Sequence, residues 1–110
     1  MTAKTILATV TALLIATGTA AANEWKFDLE NRSAANVTSF RTQENGVWSD
    51  NWLDEIILPG DTFEMDFGTN EGECTVRTRI DFTDGTYVDA NIDYCNMTTI
   101  TVRNKDVVWK

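Results

Sequence analysis

Trp48 and Trp52 stand four residues apart, beside Asp50, Asn51, Asp54 and Glu55. Indole rings mixed with short polar side chains suit stacking on a sugar ring or filling a pocket on a partner protein. These six are the candidate partner-binding residues. The competing use for both indoles is packing, because a small domain needs aromatic area inside. Carboxylates offer a second chemistry. Asp81, Asp89 and Asp93 project from one face of a predicted hairpin, and a carboxylate pair ~5 to 9 Å apart can hydrolyse glycosides. Arg77 and Arg79 fall on the same face, so a solvated, partly neutralised surface explains these acids more simply. Asp61, Glu64, Asp66, Glu71 and Glu73 could offer oxygens to calcium, but their spacing matches no EF-hand loop. The chain has no histidine. Ser33, Ser39 and Ser49 therefore lack the usual base, and two cysteines alone make no zinc site. The expectation is no catalytic residue, no metal, no cofactor and no enzyme.

The N-terminus reads as an export signal. Lys4 supplies a positive start, residues 6–16 are apolar and uncharged, and Ala20-Ala21-Ala22 offers the small-x-small pattern of a cleavage site. The apolar run is well short of the ~20 residues that span a bilayer. Residues 1–22 are thus expected to be a signal peptide and residues 23–110 a single β domain, periplasmic or secreted, with no membrane anchor after cleavage. Removing 22 of 110 residues takes away Lys4 and leaves 8 basic and 17 acidic side chains, a net charge of −9. Such an acidic chain is unsuited to nucleic acid or anionic membranes.

Both cysteines, Cys74 and Cys95, lie in the exported part, where an oxidising compartment lets a disulfide persist. The elements they join have a period of two. Trp25, Phe27 and Leu29 alternate, as do Phe63, Met65 and Phe67. Asn45-Gly46 and Asp84-Gly85 are hairpin dipeptides, and Pro59-Gly60 is a turn. Residues 49–55 have the composition of one short helical turn, and residues 68–73 read as an acidic loop.

The register of the hairpin between the cysteines can be chosen from its faces. A two-residue loop would set Ile80 against Asp89 and Val76 against Asp93, mixing apolar and acidic side chains. A three-residue loop over residues 83–85, with Gly85 in the left-handed position, instead pairs Ile80 with Val88, Thr78 with Ala90 and Val76 with Ile92. It also requires a bulge or strand end near Tyr94 to bring the cysteines together. The predicted core is Trp25, Phe27, Leu29, Phe63, Met65, Val76, Ile80, Phe82, Val88 and Ile92. Six or seven short strands without helical period predict an all-β chain, a small antiparallel β-sandwich with one disulfide, with a small barrel as the alternative.

Phe27-x-Leu29-x-Asn31 with Ser33, then Trp48, Leu58-Pro59-Gly60 with Phe63, Cys74, Arg79 and Phe82 before Asp84-Gly85, and finally Ile92-Asp93-x-Cys95 form a succession. It resembles a family of small exported bacterial β proteins with an N-x-(T/S) element, an L-P-G turn and a C...F-x-D-G...(V/I)-D-x-C hairpin. The resemblance spans nearly the whole exported part and implies a fold and a disulfide without an activity. Residues 42–44 depart from that family's Ser/Pro/Gly-rich turn. Asn31-Arg32-Ser33, Asn36-Val37-Thr38 and Asn96-Met97-Thr98 also match the N-glycosylation pattern, which matters only in a eukaryotic host.

The functional expectation is an exported, non-enzymatic binding or interaction module for an unknown protein or carbohydrate. The alternatives are an inhibitor of an extracytoplasmic hydrolase or, further off, a small carboxylate-dependent hydrolase.

Overall fold

Alternating apolar residues bury one face of each strand, and two such faces close on each other in the computed structural model, which describes residues 25–69 and 71–110. The expected signal peptide lies outside the described residues. The strands are β1 (Lys26–Asn31), β2 (Val37–Glu44), β3 (Val47–Trp48), β4 (Thr62–Asp66), β5 (Thr75–Phe82), β6 (Tyr87–Asp93), β7 (Thr99–Val102) and β8 (Val107–Trp109). They form two four-stranded sheets, ordered β4-β1-β7-β8 and β3-β2-β5-β6. The chain is therefore an all-β sandwich and not a closed barrel. Every pairing is antiparallel except β1 with β7, which run parallel with Leu29 beside Ile100. Among the described residues, no helix is long and apolar enough to cross a membrane.

The hairpin of β5 and β6 has the three-residue-loop register: Ile80 faces Val88, Thr78 faces Ala90 and Val76 faces Ile92. Phe82 donates its N–H to the Thr86 carbonyl, and Gly85 takes a φ of +89°, a conformation that costs glycine little. Beyond Asp93 the strand ends in a single 3₁₀ turn, Tyr94–Asn96. That turn restores the parity of the cysteines, and Cys74 and Cys95 are disulfide-bonded with Cα atoms 5.1 Å apart. The Asn45-Gly46 turn is also as expected, with φ of +53° and +79° and Glu44 paired with Val47.

Phe27, Leu29, Met65, Val76, Ile80, Phe82, Val88 and Ile92 are buried as predicted. Trp25 and Phe63 are only half-buried, packed against the core from its margin. The core also contains Val37, Phe40, Leu53, Ile57, Tyr94, Met97, Ile100, Val102 and Val107. Tyr94 sits within an aromatic cluster, its ring 5.5 Å from that of Phe27 and 5.3 Å from that of Phe67. Its phenol meets the Thr78 hydroxyl at 2.7 Å, so the polar end of a buried ring is satisfied by a threonine inside the sheet.

Burial pushes the Tyr94 phenol well above its ordinary value, and the Thr78 bond offsets this only in part. A raised folded value means that the stabilisation from keeping this phenol neutral is complete below about pH 10 and is lost as the pH rises toward the folded value. Tyr94→Phe should therefore cost about 0.5–1.5 kcal/mol at neutral pH, because Thr78 keeps its bond to the Val76 carbonyl. The same variant should resist alkali better than the unsubstituted protein. Urea unfolding at neutral and strongly alkaline pH checks both signs.

One buried polar residue organises the loops at one end of the sandwich. Asn31, with 0% of its surface exposed, donates through Nδ2 to the carbonyls of Ala35 and Ile57, both at 2.9 Å. Its Oδ1 accepts from the Ser33 amide at 3.0 Å and the Ser33 hydroxyl at 2.6 Å. Its carbonyl accepts from Gly60 N–H, which ties in the turn closed by the Asp61 amide on the Leu58 carbonyl. The Asn31-x-Ser33 and Leu58-Pro59-Gly60 elements are thus two halves of one knot.

Candidate functional site

Sheet pairing decides which of the candidate side chains can meet a ligand. Residues 49–57 run along the free edge of β2 and are not helical, contrary to the composition-based expectation. Ser49 and Trp52 donate backbone N–H groups to the Thr42 and Phe40 carbonyls, and Ile57 exchanges two backbone bonds with Val37. Asn51 completes the row with its side chain: Oδ1 accepts from the Phe40 amide at 2.9 Å and Nδ2 donates to the Thr38 carbonyl at 3.0 Å. A helical turn would have left those groups of β2 unpaired, and covering them blunts an edge that could otherwise recruit another strand.

This edge cover separates the two tryptophans. Trp52 turns inward, its indole N–H donating to Thr42 Oγ1 at 3.1 Å and its ring 4.5 Å from that of Phe67. Trp48, on β3, lines the outer face of the second sheet, where the Arg77 guanidinium lies 5.3 Å from its ring centroid. Leu53 is buried, and Asp50, Asp54 and Glu55 are exposed. The six candidate binding residues are therefore divided among an outer sheet face, an edge, the core margin and solvent.

The carboxylates of the hairpin are each held by a neighbour. Asp89 takes a two-pronged bond from Arg77, with Nη2 to Oδ2 at 2.7 Å and Nε to Oδ1 at 3.0 Å. That bond holds the Asp89 carboxyl below the ordinary aspartate value. Asp81 accepts from Arg79 Nε at 3.0 Å, and Asp93 accepts from the Cys95 amide at 3.0 Å at the start of the 3₁₀ turn. Asp61, Glu64, Asp66, Glu71 and Glu73 do not converge. Among the described residues, the one group with ligand atoms within 4.8 Å of one another is Cys74, Asp93 and Cys95, and its two sulfurs are already joined.

What surrounds Trp48 comes from strands distant in sequence. Thr38, Ser39, Arg41, Trp48, Arg79 and Asp81 line an open depression of about 460 Å³ on the outer face of the second sheet. Beside it, the pairing of β2 with β5 shifts register between Val37 and Ser39, as at a bulge. Bulges re-aim side chains and are frequent beside functional sites. Arg41 lies directly across from Arg79. Arg79 stacks on the ring of Tyr87 at 3.9 Å and bonds Asp81, whereas Arg41 has no ion-pair partner among the described residues. Ser39, 7% exposed, has a buried hydroxyl without a hydrogen-bond partner. Arg41 and Ser39 could be found only by knowing that β2 pairs with β5, a contact between residues about forty apart. No family model, curated protein or solved structure matches the chain.

Proposed function

We propose that this chain is an exported, non-enzymatic binding module whose ligand meets the outer face of the second sheet around Trp48. The observation that carries this reading is the depression in which Trp48 stands with Arg41, which has no ion-pair partner among the described residues. Like charges directly across a sheet are destabilising, so Arg41 opposite Arg79 is an arrangement that folding alone does not reward. A rigid sheet face also loses little entropy on binding. Asp89, held ionised by Arg77, is shifted the opposite way from a proton donor, which supports binding over hydrolysis. Export is supported by the basic, apolar and small-residue succession at the N-terminus and by a disulfide suited to an oxidising compartment.

A photo-reactive phenylalanine analogue at position 48, compared with one at Glu64 on the opposite sheet, tests the surface in the producing cells. A discrete adduct from position 48 and none from position 64 is the expected result. No adduct from position 48, or the same species from both, overturns the reading.

A further inference from the structure

Resting on that reading of the surface, we infer that the depression around Trp48 recognises a carboxylate-bearing sugar, a uronic acid unit of an acidic saccharide. Three features converge on this chemistry. Arg41 and Arg79 sit on directly paired positions of β2 and β5, and Arg41 makes no ion pair among the described residues, so a guanidinium is free for a planar carboxylate. Trp48 supplies an aromatic wall of the kind on which a pyranose ring packs. Asp81 gives one oxygen to Arg79 and keeps acceptor capacity on the other for a sugar hydroxyl.

Charge separates this ligand from other anions. The same sheet face carries Asp81, Asp89 and Asp93, and the whole chain has a net charge of −8. A phosphate dianion or a run of acidic residues packs its charges more densely and offers Asp81 fewer hydroxyl donors beside them, so it meets that field at greater cost. A uronate carries one carboxylate per ring set among hydroxyls, so the carboxylate meets Arg41 while a ring hydroxyl reaches Asp81.

The test is a ¹H–¹⁵N titration of the full exported protein with trigalacturonate, alongside neutral galactotriose and tetraglutamate. Trigalacturonate should give saturable shifts of the Trp48 indole and the Arg41 and Arg79 Nε–H signals while the Trp52 indole stays still. Arg41→Met should weaken binding at least tenfold at an unchanged or raised thermal midpoint, because it breaks no ion pair among the described residues and removes a like-charge pair across the sheet. Absence of saturable shifts, equal shifts with galactotriose, or equal binding of tetraglutamate each overturns the uronate inference. If a cross-linked adduct at position 48 persists alongside such a failure, the surface stands and the ligand class is wrong; if the adduct too is absent, the surface itself is wrong.

Discussion

Asn31→Ala should cost about 3 kcal/mol or more, a large fraction of what holds a domain of this size together. The substitution removes two bonds to main-chain carbonyls and two from Ser33 in a place with no solvent to replace them. It leaves the Ser33 amide without its acceptor and cuts the tie between the end of β1 and Ile57, which leads into the Leu58-Pro59-Gly60 turn. Asn31→Asp should be at least as damaging, although it keeps the shape. Its second oxygen would face the Ala35 and Ile57 carbonyls where a donor is needed, and its charge would be buried. Urea unfolding of both variants measures the effect. A loss below about 1 kcal/mol in each would mean that the knot is not structural.

Opening the disulfide is the second large effect. Cys74 and Cys95 are 21 residues apart in sequence, and a loop of that size should contribute about 3 kcal/mol by restricting the unfolded chain. Both cysteines are exposed, so serine in their place creates no cavity and no buried hydroxyl. The double variant Cys74→Ser with Cys95→Ser should therefore lose about that amount while retaining the native circular dichroism spectrum. Equal denaturant midpoints for the variant and the oxidised protein would contradict it.

What could be read from the sequence follows the distance over which the physics acts. The register of β5 and β6 was legible because the turn, the two faces and the cysteine parity all lie within the hairpin. Asn45-Gly46 was legible because a dipeptide sets its own backbone. Trp25 and Phe63 alternate correctly, but alternation names a face and not how far it is covered. In the sequence Asn31 is part of an N-x-(T/S) element and a match to the glycosylation pattern. Its side chain is instead fully enclosed, because Ile57 and Ala35 come to it from separate loops.

The candidate site shows the same division. Trp48 and Trp52 are close in sequence and share polar neighbours, which made them look like one surface. Their parting depends on residues the local sequence does not contain. Trp52 is drawn inward by Thr42 and Phe67, while Trp48 is held outside by β3 pairing with Gln43 and by Arg77. Arg41 became a site residue only when β2 met β5.

That parting is the claim on which the binding surface depends, and hydrogen exchange of the two indole N–H groups reads it directly. Trp52 Nε1–H is bonded to Thr42, whereas Trp48 Nε1–H has no acceptor among the described residues. The Trp52 indole should exchange only as the sandwich opens, and the Trp48 indole should exchange at once. Slow exchange at Trp48, or equally fast exchange at both, would contradict an outward Trp48 and an inward Trp52.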